Sequence, residues 1–552
     1  MTTDLPDWPP ELAAAYRTAG FWLDRPLGEW MWQWAEEHGE RVALVDGDVE
    51  ISFLEMASLA DGLAEALPGL GLRPGDRIVV GLPNRWEFVV LLLACFRAGV
   101  APVLALPAHR ELELGYLARH AEARMIVVPD RWRGFDHEAL AARIAADLPW
   151  RCAVGVVGEF ALPGHVDLTA LLRSISTGEG RRRRLDALAP DPGDAALFLL
   201  SGGTTGLPKM IGRTHNDYEY NLRRSGEVCG FSAETRYLVT LPAAHNFPLG
   251  CPGILGALAV GGQAVLLASP EPVRAFQTIA RRRITITSLV PAIARRWVEK
   301  ARETRPDLGS LAVVQVGGSV LDPVLAQEIP AMLGVRLQQV FGMAEGLLNY
   351  TRLDDSDEVL LHTQGRPISP GDEVLVVDES DRPLPAGEIG ELLTRGPYTP
   401  RGYFRAAEHN ARAFTPDGWY RTGDLVRLRE DGNLVVEGRR KDLINRGGEK
   451  VSAEEVETVA RAVLDVADAL AVPVPDPRFG ERVCLVVVPR GAAPSLAEVR
   501  AEFTAHGVAD YKLPEQVESL DRLPLTPVGK VDRKSVRAQF ASKTEESWTP
   551  VR

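Results

Sequence analysis

What most constrains this chain is the alternation of short, wholly apolar segments with helical ones. Residues 42–45 and 77–80 read as strands, 86–98 as an apolar helix, and 100–106 (VAPVLAL) as the next strand. Helices are expected earlier, at 12–17 and 30–37. Strands apolar on both faces and separated by helices predict a parallel sheet covered on both sides, because parallel neighbours need a long crossover. After residue 194 the pattern resumes. Residues 195–200, 235–241, 263–267, 284–290 and 311–316 read as strands, the last ending at Gly317 and Gly318. From about residue 371 the segments shorten (373–377, 390–394, 426–429, 434–437) and Gly, Asp and Pro separate them, which predicts a small β-rich subdomain. A mixed α/β segment follows Gly438, with strands near 469–474 and 483–488. The arginines at 181–184, in a stretch rich in Gly, Pro and Asp, read as a solvated linker rather than a phosphate patch. The tail after Ala541 reads as loose.

Composition narrows the function. A length of 552 residues suggests three or four structural units. Lys plus Arg number 62 against 75 Asp plus Glu, a net charge of −13. That excludes a dedicated binder of nucleic acid or anionic membrane, so any phosphate must be held by a local site. Cys95, Cys152, Cys229, Cys251 and Cys484 are too scattered for a zinc ribbon or a C-x-x-C pair, and such a set suits a reducing compartment. The opening MTTDLPDWPPEL has no basic start followed by an apolar run. The longest apolar run, 88–96, is about half of what spans a bilayer. The expectation is a soluble cytoplasmic protein with neither a membrane nor a nucleic-acid partner.

The sharpest local signal is SGGTTGLPK, residues 201–209, directly after the apolar strand. Small side chains let backbone N–H groups cradle an anion, while hydroxyls and Lys209 add donors and charge. The spacing is not that of an NTPase P-loop, and no G-x-S-x-G elbow occurs. Elsewhere, Asp424 after Thr-Gly is placed to accept from two ribose hydroxyls, or to cap its turn. Glu345 on the FGMAE loop, read alone, suits a helix cap. Read alone, Lys530 in TPVGK is an exposed surface lysine.

Taken together these motifs resemble the adenylate-forming enzymes, which include acyl-CoA synthetases, luciferases and nonribosomal-peptide adenylation domains. SGGTTGLPK, FGMAE (341–345), YRTGD (420–424), GRRKDLI (438–444), GGEKV (447–451) and PVGK (527–530) fall in that family's order and spacing. The resemblance implies an α/β fold. A large N-terminal domain (1–438) would hold two doubly wound, mostly parallel sheets and a small β-barrel subdomain, and a mobile α+β lid would follow (439–552). It implies ATP and Mg²⁺ as cofactors. ATP or AMP would be held by Ser201, Gly202, Gly203, Thr204, Thr205, Gly206, Lys209, Gly317, Val340, Phe341, Gly342, Met343, Ala344, Asp424 and Arg439. Glu345 would carry the metal, and Lys530, Glu345 and His245 would be catalytic. Lys441 would be the hinge, and Gly447 and Gly448 would line a thiol channel.

AHNFPLGCP (244–252) is more specific. It looks like the aryl-acid AMP ligases that activate salicylate or 2,3-dihydroxybenzoate in siderophore assembly. The stretches at 340–355 and 392–403 carry the same likeness. The resemblance places Asn246, Phe247, Cys251, Gly317, Gly318 and Leu348 around the aryl acid. Asn246 stands where amine-activating relatives carry Asp; an amide can donate to a phenolic oxygen but supplies no charge for an ammonium. Cys251 and Leu348 stand where dihydroxybenzoate enzymes carry Ser and Val, which favours salicylate. A 6-methylsalicylate user would look the same. With no carrier domain expected in the chain, the thiol acceptor would be an aryl carrier protein acting in trans. The alternatives are a 2,3-dihydroxybenzoate-AMP ligase, an aryl-CoA synthetase using free CoA, a nucleotide-binding sensor, and a scaffold.

Overall fold

A computed structural model describes residues 4–176, 178, 180–201, 207–318, 321, 323–378, 380–439, 443–524 and 533–541. Two large sheets form its frame. One has nine strands and runs Arg366–Pro367, Gly346–Tyr350, Arg336–Met343, Val313–Gly317, Ile286–Leu289, Arg236–Val239, Gln263–Leu266, Val42–Asp46, Val49–Ser52. The five strands from Arg336–Met343 to Gln263–Leu266, together with Val42–Asp46, are parallel; antiparallel strands close both edges. The other has seven strands, parallel except for the edge pair Ala195–Ser201 and Lys209–Thr214.

The helix Trp86–Ala98 explains why the sheets stay together. It is apolar on every side, and Phe88 to Phe96 are all buried in one core with residues of both sheets. A helix apolar all round belongs in a core rather than on a surface. Among the described residues no helix is long and apolar enough to cross a membrane.

The β-rich subdomain differs from the expected barrel. Among the described residues it is an open, four-stranded antiparallel sheet in the order Glu373–Val377, Ile389–Arg395, Tyr420–Leu428, Leu434–Arg439. Its core (Val376, Leu392, Val426, Leu434) is shared with Leu347 of the nine-stranded sheet, so packing covers the face that closure would have covered. From Leu443 onward the chain builds a five-stranded sheet of its own, with helices Ala453–Val463 and Leu496–Ala505 on one core.

The arginine run is not a solvated linker. It forms the helix Arg181–Asp186, held by Arg181 and Arg184 on Glu65 and by Arg182 on Glu36. Sequence patterning missed this because the partners lie more than a hundred residues away. The tail after Ala541 lies outside the described residues.

Candidate active site

Five strands, drawn from both large sheets, end at one place. Leu104, Ser201, Leu241, Val290 and Gly318, each at or just beyond a strand's carboxyl end, line one cavity of about 280 Å³. Open α/β sheets leave their ligand crevice there, where the chain must turn away from the sheet. Asn84 holds the two sheets in register at this edge. Its amide nitrogen donates to the carbonyls of Val239, Leu241 and Leu267 at 2.9–3.3 Å, and its oxygen accepts from the Ala243 N–H at 2.7 Å.

The segment so fixed runs into His245, which caps the short helix Asn246–Gly250. His245 Nδ1 accepts the Phe247 N–H at 3.2 Å, so the neutral ring carries its proton on Nε2 and can donate. Although the side chain faces the cavity, desolvation by the surrounding protein, with Lys450 nearby, holds its pKa below the ordinary value.

The deep end of the cavity is apolar. Phe247, Cys251, Val290, Val340 and Leu348 belong to one buried cluster. Burial pushes the Cys251 thiol up to about 12, so it stays neutral. Bare backbone is required at Gly317, where a Cβ would sit 2.7 Å from the Val340 carbonyl oxygen and 3.3 Å from the Phe247 ring. A Cβ at Gly342 would collide with Leu348. Asn246 brings the amide to this floor; Tyr218 donates its hydroxyl to Asn246 Oδ1 at 2.9 Å.

The SGGTTGLPK motif lies partly within the described residues. Ser201 pairs with Lys209 across the hairpin that carries it, and Gly202, Gly203, Thr204, Thr205 and Gly206 lie outside the described residues. Lys209 Nζ stands 5.0 Å from the centre of the Tyr403 ring, and the Tyr403 hydroxyl donates to Glu345 Oε1 at 2.7 Å. Thus Lys209 and Glu345 share one neighbourhood, joined by a tyrosine to which sequence reasoning assigns no role. Met343, Ala344 and Glu345 line the cavity, and Arg213, wholly buried, donates to the Ala344 carbonyl.

Gly317, Phe341, Lys209 and Asp424 are not among the described residues that line the cavity. The Phe341 carbonyl accepts from Asn349, while its ring packs beside the four-stranded sheet. Asp424, buried, lies directly across the strand pair from Arg439, and its N–H donates to Thr422 Oγ1 at 3.0 Å. Lys441 and Lys530 lie outside the described residues.

The C-terminal sheet completes the wall. Gly447 and Gly448, with φ of +59° and +96°, turn the hairpin Leu443–Arg446 and Glu449–Ser452 into the cavity. A Cβ on Gly448 would lie 2.6 Å from Val290 Cγ1, so the close approach requires glycine. Behind the hairpin, Lys512 bridges two parts of the chain. Its ammonium is 3.1 Å from Glu113, on the helix Glu111–His120, and 2.8 Å from Glu455, on Ala453–Val463. The three side chains are only 5%, 1% and 7% exposed. Burial opposes ionisation of Glu113, yet Lys512, His109 and the Arg110 N–H hold it below the usual range; burial pushes Glu455 up to about 7.

The match to known proteins agrees with this geometry. The model of the AMP-binding enzymes matches residues 31–404, and that of the AMP-binding enzyme C-terminal domain matches 455–530. A Streptomyces protein described as salicylyl-CoA synthase / salicylate adenylyltransferase is 56% identical over 98% of both chains. The 2,3-dihydroxybenzoate-AMP ligase of Bacillus subtilis is 47% identical over 97% of both. The apo structure of MbtA from Mycobacterium smegmatis superposes with a TM-score of 0.75 at 43% identity, covering 97% of this chain and 99% of that one. The chain belongs to the AMP-binding enzyme family and is an ATP-dependent adenylating ligase.

Proposed function

We propose that the enzyme activates salicylate and passes the salicyl group to the phosphopantetheine thiol of an aryl carrier protein, in siderophore or related nonribosomal peptide synthesis. One observation carries the choice of acid. The Asn246 amide shares the cavity with a floor of Phe247, Cys251, Val340 and Leu348, and among the described residues no carboxylate lies on that floor to pair with an ammonium. The relatives that activate salicylate or dihydroxybenzoate along nearly their whole length support the class.

In the first half-reaction a carboxylate oxygen of the acid bonds to the ATP α-phosphorus and the bond to pyrophosphate breaks. The protein's contribution is to orient and to stabilise charge. The Ser201–Lys209 hairpin would grip the triphosphate, Asp424 and Arg439 the ribose, and His245 would donate from Nε2 to a phosphate oxygen. Lys530 would bridge the carboxylate and the α-phosphate. In the second half-reaction the thiolate sulfur bonds to the acyl carbon and AMP leaves. Residues 439–552 would act as a lid turning about Lys441 between the two steps. The glycine hairpin on the cavity wall supports a role for Gly447 and Gly448 in the second.

Glu345 suits magnesium. Its buried carboxylate is a hard oxygen donor at the mouth of the phosphate hairpin. Among the described residues no group of three or more His, Cys, Asp or Glu forms a ready cage. Magnesium commonly takes only one or two protein carboxylates and keeps water and substrate phosphates as its other ligands. When bound it would neutralise phosphate charge.

ATP–pyrophosphate exchange tests the reading. Salicylate should give a higher kcat/KM than 2,3-dihydroxybenzoate, whose 3-hydroxyl would be buried without a partner at a cost of about 1–3 kcal/mol. Cys251→Ser with Leu348→Val should narrow the gap. A higher kcat/KM for dihydroxybenzoate in the wild type would refute the assignment. Lys530→Ala should abolish exchange yet leave thiolation of pre-made salicyl-AMP largely intact; loss of both would contradict the lid. The CoA-using reading is favoured by the name of the Streptomyces relative, and comparing free CoA with a holo carrier protein as acceptor separates the two.

A further inference from the structure

The aryl end of the cavity contains a buried array that decides which way the Asn246 amide faces. Tyr218, wholly buried on the helix His215–Val228, donates its hydroxyl to Asn246 Oδ1 at 2.9 Å. Behind it the Arg213 guanidinium stands 5.0 Å from the centre of the Tyr218 ring and bonds Asp217 through Nε at 2.6 Å. Gly250 leaves room for the hydroxyl, since a Cβ there would collide with it. If the amide were reversed, Nδ2 would donate to the phenol oxygen. The phenolic proton would then lose the acceptor that it has in the structure, and a buried unsatisfied hydroxyl is disfavoured. The array therefore uses up the amide oxygen. Asn246 is 6% exposed, lines the cavity, and its amide nitrogen has no hydrogen bond to any described residue.

We infer that Tyr218 is a specificity-determining positioning residue: it locks Asn246 as a hydrogen-bond donor toward the ortho substituent of the aryl acid. The site then accepts acids whose ortho group offers a lone pair and rejects isosteric acids whose ortho group offers only a proton. Salicylate gives its phenolic proton to its own carboxylate and keeps lone pairs on the outer side. 2-Aminobenzoate turns an N–H outward, and donor meets donor. The inference rests on the aryl-acid reading above and sharpens it.

Exchange kinetics with salicylate, 2-aminobenzoate and benzoate, in wild type and Tyr218→Phe, test it. Wild type should favour salicylate over 2-aminobenzoate by about 100-fold in kcat/KM, since a buried polar mismatch discriminates more strongly than size does. Tyr218→Phe frees the amide to turn. The salicylate to 2-aminobenzoate ratio should fall about tenfold, mainly through KM, while benzoate, with no ortho group, moves least. A parallel fall for all three acids would mean that Tyr218 merely supports the fold and would overturn the inference. So would a wild-type enzyme that uses 2-aminobenzoate as well as salicylate, a result that needs no variant to fold. Exchange with none of the benzoates would sink the aryl-acid reading itself, a distinguishable outcome.

Discussion

Replacing Lys512 by methionine keeps the length of the side chain and removes its charge. Glu113 and Glu455 would then face each other in a site where neither carboxylate reaches much water. Breaking a buried ion pair by deleting one partner costs about 3–5 kcal/mol. Here Glu455 is already poised to take a proton, its pKa pushed up to about 7 by burial, so the loss at pH 7.5 belongs at the lower end, about 3 kcal/mol. The triad ties the C-terminal sheet to the helix Glu111–His120, so the loss falls on the arrangement in which Gly447 and Gly448 line the cavity. About 3 kcal/mol corresponds to roughly a 150-fold shift in that docking equilibrium. Thioester formation from pre-made salicyl-AMP should drop by up to that factor, while ATP–pyrophosphate exchange stays nearly intact. At pH 5.5, below the pKa of about 7 of Glu455, that carboxyl takes a proton, the repulsion between the two is removed, and the defect should shrink. Rapid-quench thiolation assays at the two pH values, with exchange measured in parallel, decide the matter. Equal losses in both half-reactions, or a defect indifferent to pH, would refute the latch.

Two further outcomes follow from single contacts. Tyr403→Phe deletes the 2.7 Å bond to Glu345, a hydrogen bond to a charged group of the kind worth about 1.5–3 kcal/mol; kcat/KM for Mg-ATP should fall about 10- to 100-fold with little change in the KM for the acid, and an effect on the acid alone would remove Tyr403 from the phosphate end. Asp372, which accepts from the Tyr398 hydroxyl at 2.6 Å and the Ser369 N–H at 3.2 Å, is pushed by burial up to about 7. Its folded pKa lies above its unfolded value, so its contribution to stability is complete below about pH 4 and lost as pH rises through 7. Four desolvated histidines, His109, His137 and His245 at about 4 and His215 at about 3, pull total stability the other way below pH 6.5, so the informative quantity is the difference between wild type and Asp372→Asn. That difference should change by up to about 1.4 kcal/mol per pH unit between pH 4 and 7 in chemical denaturation; a flat difference would mean that Asp372 ionises normally.

Much of this protein was legible in one dimension. Strand and helix alternation follows from local periodicity, and so 77–80, 86–98 and 373–377 coincide with the observed elements. The motif residues also read locally: a strand running into small hydroxylated residues and a lysine predicts phosphate chemistry without help from the rest of the chain. Ser201, His245, Asn246, Phe247, Cys251, Glu345, Leu348, Gly447 and Gly448, scattered over half the sequence, meet around one cavity.

What the tertiary structure alone decided is which side chains support these. Tyr403 reaches Glu345 across 58 residues, Tyr218 reaches Asn246 across 28, and Lys512 reaches Glu455 across 57. Asn84 joins the ends of two segments more than 150 residues away. The four arginines became a docked helix for the same reason, and the β-rich segment stayed an open sheet because a neighbouring sheet covers its face. Periodicity and motif spacing report what a residue does to its own few neighbours. The orientation of a buried amide or the pairing of a buried charge is set by partners that only folding brings within hydrogen-bonding reach, where low polarity makes each missing partner costly.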